Sequence, residues 1–173
     1  MRLVEPSVIH ITLKNKAIFL DRDGVVNVER GYTHKLEDFV ILPDLIEVLQ
    51  LFRQMGYLLI VVSNQSGIAK ELYEQSEVEV LHKYLVEELN NNNITLSEIY
   101  YCVHHPDVGR CICRKPDSLF VEKALARFNI DATKSYFIGD KERDVEAAEK
   151  AGVKGILIES NISLKTILDQ IGN

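Results

Sequence analysis

Asp21 and Asp23 stand either side of Arg22 in the run Phe19-Leu20-Asp21-Arg22-Asp23-Gly24-Val25-Val26-Asn27, directly after the apolar residues Ala17 and Ile18. An apolar run stopped by a turn signal reads as a buried strand, with both carboxylates at or just past its end. Open α/β sheets bind ligands at that carboxyl edge. Two anions this close in a cleft are costly unless a cation or a shared proton offsets them. A bound divalent metal supplies the offset and leaves one carboxylate able to attack an electrophile. A bare Asp-x-Asp-Gly can also be an acidic turn, so the remainder of the chain decides between the two.

Three further segments bear on that choice. Val61-Val62-Ser63-Asn64-Gln65-Ser66-Gly67 ends an apolar run on a hydroxyl, which with nearby backbone N–H groups can hold a phosphoryl oxygen. Arg114-Lys115-Pro116 places two adjacent cations in a loop. Phe137-Ile138-Gly139-Asp140-Lys141-Glu142-Arg143-Asp144 is another strand end with acids on both sides of a turn. Cys102, His104, Cys111 and Cys113 offer three thiolates and one imidazole, a closed tetrahedral set suited to structural Zn2+. His105 competes as a ligand, and the Cys-x-His spacing favours His104. Because Cys113 directly precedes Arg114 and Lys115, a metal there would pin the loop that delivers the cations and reduce the ordering cost at binding.

The elements that must position these groups follow from periodicity. Apolar runs at Ala17–Leu20, Leu58–Val62, Ile99–Val103, Tyr136–Ile138 and Gly155–Ile158 predict five strands. Helical periodicity covers Leu45 to Met55, Ser76 to Leu89, Leu119 to Phe128 and Asp144 to Ala151. Pro43-Asp44 opens the first helix, Gly56 closes it, and Ser76 with Glu79 makes a capping box for the second. The Asn90–Asn93 run reads as a polar loop. Strands alternating with helices predict an α/β fold, a Rossmann-like parallel sheet with helices on both faces. The spacings leave room for a flap after Gly24 but for no inserted cap, so the cleft is expected to be open.

At 173 residues the chain is expected to be a single domain, with a hydrophobic fraction of 46% that is ordinary for a globular protein. The net charge of −6 argues against nucleic acid as the partner, yet a few local cations can still hold a phosphorylated one. No stretch approaches the roughly 20 apolar residues of a membrane span, and Met1 to Asn15 lacks the layout of a signal peptide. The expectation is a cytoplasmic monomer with no membrane partner. Three clustered cysteines in a reducing compartment point to metal ligation rather than disulfides.

Acid pair, hydroxyl, lysine and acid pair in that order resemble the haloacid dehalogenase-like superfamily of phosphohydrolases, from roughly Lys16 to Glu159. The resemblance implies that Asp21 is the nucleophile and that Asp23 is the general acid and then the base. It implies that Ser63 and Lys115 bind phosphoryl oxygens. Asp140 would hold Mg2+ with Asp21 and the backbone carbonyl of Asp23, supported by Asp144. The cysteine loop is similar to that of the capless, zinc-containing branch, which includes heptose-bisphosphate and histidinol-phosphate phosphatases.

Three stretches favour the heptose enzymes: the flap from Asn27 to His34, the run Asn64 to Ala69, and Gly139-Asp140-Lys141. By that resemblance Glu29, Arg30, Gly31, Tyr32, Ser63, Asn64, Gln65, Ser66, Arg114, Lys115 and Lys141 contact a small phosphorylated sugar. Arg114 and Lys141 suit a second phosphate. Removal of the C7 phosphate of a heptose 1,7-bisphosphate is the activity implied. Two departures stand out. Ser63 replaces the usual threonine, and Asp117-Ser118-Leu119-Phe120 after Lys115-Pro116 is closer to the histidinol-phosphate pattern. Retention of Asp21, Asp23, Lys115 and Asp140 together argues against an idle zinc-stabilised binding module.

Overall fold

In the computed structural model, which describes residues 13–172, five parallel strands form one sheet in the order β3-β2-β1-β4-β5. They are β1 (Lys16–Leu20), β2 (Tyr57–Asn64), β3 (Glu98–Cys102), β4 (Tyr136–Gly139) and β5 (Lys154–Leu157). The helices are α1 (Leu45–Gln54), α2 (Gln75–Asn91), α3 (Leu119–Arg127) and α4 (Glu142–Lys150). The start of the chain, up to residue 12, lies outside the described residues, and with it most of the stretch judged against a signal peptide.

Strand alternation explains how one sheet fills two cores. Ile18 and Leu20 of β1 face one side with Leu59 and Val61 of β2, covered by Leu45, Leu49 and Phe52 of α1 and Leu81 and Leu85 of α2. Ala17, Phe19, Ile60, Val62 and Phe137 face the other side, covered by Val121 and Ala124 of α3 and Ala148 of α4. Both faces of the central strands are thus apolar, which is why they read as continuous apolar runs. No helix among the described residues is long and apolar enough to cross a membrane.

Helix ends depart from expectation in three places. The capping box of α2 is built by Glu74 and Glu77, not Ser76 and Glu79. The backbone N–H of Glu74 donates to Glu77 Oε2 at 2.8 Å, and the Ser76 hydroxyl is taken up by Glu74 inside the first turn. Helix α2 runs on to Asn91, into the stretch expected to be a loop. Asp44 does open α1, but in the left-handed region at φ 65° and with no side-chain cap bond. Its carboxylate instead accepts from the Ser163 hydroxyl at 3.1 Å and pairs with Lys165 at 3.5 Å.

The order of strands reverses at β1, whose neighbours are β2 on one side and β4 on the other. Asp21 follows β1, Ser63 lies near the end of β2, Cys102 ends β3 and Asp140 follows β4. Every chemically loaded segment therefore reaches the same carboxyl edge, at the switch point where open α/β sheets form their crevice.

Candidate active site

Asp21 continues the ladder past β1, its N–H donating to the Ile138 carbonyl at 3.0 Å, so its side chain leaves the sheet edge in a fixed direction. Lys115 Nζ lies 2.8 Å from Asp21 Oδ1, 2.8 Å from Asp144 Oδ1 and 2.7 Å from the Val62 carbonyl. Both lysine and acids are buried. The Asp21 carboxyl is raised to about 7, by burial above all and by Asp144 beside it, against the lowering effect of Lys115. A further cation at this point would restore the carboxylate.

Such a cation has a fitting cradle. One carboxylate oxygen each from Asp21, Asp140 and Asp144 lies within 4.8 Å of the others, all three side chains buried. An all-oxygen acidic donor set suits a hard divalent ion such as Mg2+. Gly24 makes room for it. At φ +88° a side chain would be strained, and a Cβ there would stand 2.5 Å from Asp140 Oδ2. Asp144 is braced by the Lys141 N–H, 3.0 Å from its Oδ2.

The Asp23 side chain lies outside that cluster and is held by three donors. Its Oδ1 accepts from Arg22 Nη2 at 2.8 Å and Asn27 Nδ2 at 3.0 Å, and its Oδ2 from Gln65 Nε2 at 3.0 Å. Gln65 Nε2 also donates to the Ser63 hydroxyl at 2.7 Å, while Gln65 Oε1 accepts from Tyr73 at 3.0 Å. Turning the amide over would set its oxygen against the Asp23 carboxylate, so this orientation is fixed from both ends. With one Ser63 lone pair engaged, the serine proton is left to donate elsewhere.

A cleft of about 270 Å³ opens over these groups. Among residues singled out in the sequence, Asp21, Asp23, Glu29, Gly31, Tyr32, Ser63, Asn64, Gln65, Ser66 and Arg114 line it. Arg30 instead faces Asp38 at 4.0 Å, and Lys141 reaches Asp140 at 2.8 Å and Ser160 at 3.2 Å; neither lines the cleft. Tyr73, His105 and Arg143 line it as well: Tyr73 carried no motif, His105 stood only as a competing metal ligand, and Arg143 lay in the Asp140 segment without a role. The brace on Asp23 from Arg22 and Asn27 was equally unmarked, although both sit within the acid-pair run.

Beside the cleft, Cys102, His104, Cys111 and Cys113 bring one ligand atom each within 4.8 Å of the others. Cys102 Sγ is 3.5 Å from His104 Nδ1, 3.7 Å from Cys111 Sγ and 3.3 Å from Cys113 Sγ, and Cys113 Sγ is 3.4 Å from His104 Nδ1. Tetrahedral Zn2+ at ordinary bond lengths spaces such atoms about 3.6–3.8 Å apart, so the residues fit the metal. His105 is turned away, its Nδ1 accepting from the Asp107 N–H at 3.2 Å. Arg114 Nη1 donates to the His104 carbonyl at 3.3 Å, which ties the cleft cation to the cysteine loop. Burial raises the Cys102 thiol, a penalty that metal ligation removes by displacing its proton. Protein purified without chelator is expected to carry one zinc per chain, lost in Cys111→Ser or Cys113→Ser. Thiols that titrate freely in zinc-free native protein would overturn the ligand set.

A family model described as HAD-hydrolase-like matches residues 112–172. The D-glycero-β-D-manno-heptose-1,7-bisphosphate 7-phosphatase of Photorhabdus laumondii is 37% identical over 165 residues, covering 91% of this chain and 87% of that protein. The enzyme of the same name from Helicobacter pylori is 40% identical, covering 88% of this chain and 87% of its own. The chain belongs to the heptose-bisphosphate phosphatase family of haloacid dehalogenase-like hydrolases. A member of that family from B. bronchiseptica, a D,D-heptose 1,7-bisphosphate phosphatase complexed with magnesium and phosphate, superposes with a TM-score of 0.78 at 29% identity. The superposition covers 89% of this phosphatase and 86% of that one.

Proposed function

We propose that this phosphatase removes the C7 phosphate of D-glycero-D-manno-heptose 1,7-bisphosphate, with Asp21 as nucleophile and Asp23 as proton donor and acceptor. The observation that carries the chemistry is that Asp21, which lines the cleft, lies 2.8 Å from buried Lys115 and shares an acidic cluster with Asp140. The substrate rests on the named relatives, which match over most of the chain.

An Asp21 oxygen attacks phosphorus, the bond from phosphorus to the C7 oxygen breaks, and Asp23 passes its proton to the departing alkoxide. Water then attacks the aspartyl-phosphate, Asp23 takes up a proton, inorganic phosphate leaves and Asp21 is restored. Lys115 and the Ser63 hydroxyl neutralise and orient the phosphoryl oxygens, where most of the transition-state charge resides. Asp21, Asp140 and the Asp23 carbonyl would hold Mg2+, which would supply the remaining charge neutralisation. Cys102, His104, Cys111 and Cys113 would hold a structural Zn2+ and so fix the Arg114–Lys115 loop. The enzyme acts as a single-domain cytoplasmic monomer on a free small molecule.

Asp23→Asn removes the proton relay, and a fall of about 10²–10⁴ in kcat is expected with fold and zinc retained. A rate within a few-fold of the parent would remove Asp23 from that role. The substrate itself is tested by kcat/KM on heptose 1,7-bisphosphate against histidinol phosphate, the competitor favoured by Asp117-Ser118-Leu119-Phe120. Both heptose anomers belong in the assay, since relatives named for each are 37% identical to this chain. A preference for histidinol phosphate would overturn the assignment.

A further inference from the structure

Arg143 sits in the first turn of α4, between Glu142 and Asp144, and lines the same cleft as Asp21, Asp23, Ser63 and Arg114. Among the described residues its side chain forms no ion pair and no hydrogen bond, and its Nε is buried without a partner. Its neighbours are differently placed: Lys115 is held by Asp21 and Asp144, and Lys141 by Asp140. A guanidinium left unpaired beside so many carboxylates keeps its full charge for a ligand. Its planar fork matches two oxygens of a phosphate at once, and the first turn of a helix adds to the attraction for an anion.

The transferred phosphoryl group already has Lys115, Ser63 and the cation that the carboxylate cradle would hold. Arg114 approaches from the loop that carries the cysteines, whereas Arg143 approaches from α4. We infer that Arg143, with Arg114, grips the phosphate that is not transferred, and so makes this cleft select bisphosphates over monophosphates. This rests on the phosphatase reading above and gives Arg143 the place that the family resemblance had implied for Lys141.

The test is the ratio of kcat/KM on a sugar bisphosphate to that on the monophosphate retaining the cleaved ester. Heptose 1,7-bisphosphate with heptose 7-phosphate is one pair, and fructose 1,6-bisphosphate with fructose 6-phosphate is a second. Arg143→Ala should lower the ratio about ten- to a hundred-fold, chiefly through KM of the bisphosphate. Arg143→Lys should recover part of it, because the charge survives but the fork does not. Zinc content and thermal melting confirm the fold; if the alanine variant melts, Arg143→Gln reads the same ratio. Equal losses on both members of a pair would place Arg143 on the transferred group and overturn the inference, as would an unchanged ratio. Wild type that prefers the fructose pair would overturn the heptose assignment while the fructose ratio still decides Arg143. Wild type with no preference for either bisphosphate would overturn the selection itself.

Discussion

Asp21→Asn is expected to abolish turnover, by at least about 10⁴-fold, while leaving a folded and zinc-loaded protein. An amide cannot form the acyl-phosphate, so no residual covalent route exists through this position. The fold should survive because asparagine keeps the volume and one acceptor. The Arg22 N–H, 2.7 Å from Asp21 Oδ1, retains a partner, and Lys115 keeps Asp144. Single-turnover kinetics with thermal melting separates chemistry from stability. Substantial activity in the folded variant would sink the covalent mechanism.

Lys115→Met should cost both activity and stability. The lysine is buried, and its loss leaves Asp21 and Asp144 facing each other without a counter-charge. Removing one partner from a buried ion pair costs about 3–5 kcal/mol, so a clear drop in denaturant midpoint is expected in metal-free protein. The deficit has a definite pH dependence. The Asp21 carboxyl, already raised by burial to about 7, loses the lysine that lowers it and rises further. A carboxyl raised above its unfolded value favours the folded state when protonated, and that contribution is lost as pH climbs through the folded value. The variant should therefore regain stability relative to wild type as pH falls from about 8 to about 5. A midpoint unchanged from wild type across that range would mean that the pair contributes nothing to the fold.

The sheet was legible because each central strand is apolar on both faces, and runs such as Ala17–Leu20 and Leu58–Val62 stand out without any alternation to decode. Helix ends were less so. Glu74 and Ser76 compete for the same first turn, and which one caps depends on where the preceding loop delivers the chain. The acids and cations at strand ends were readable as local motifs. What joins them was not, because it is made across the fold: Tyr73 to Gln65 to Asp23, Arg22 to the Thr33 carbonyl, Ser160 to Asp140. Lys141 and Arg143 show the same limit within one turn. They are two residues apart, yet Lys141 bends onto Asp140 while Arg143 faces the cleft, and spacing alone does not separate them.

The central claim is that one named ester is cleaved at this cleft, and the identity of the product tests it most directly. Wild-type protein with Mg2+ and heptose 1,7-bisphosphate should release one inorganic phosphate per sugar. Phosphorus NMR of the organic product should show the anomeric phosphate retained and the C7 phosphate gone. Loss of the anomeric phosphate, or an intact bisphosphate in the presence of fully folded, metal-loaded protein, would contradict the account.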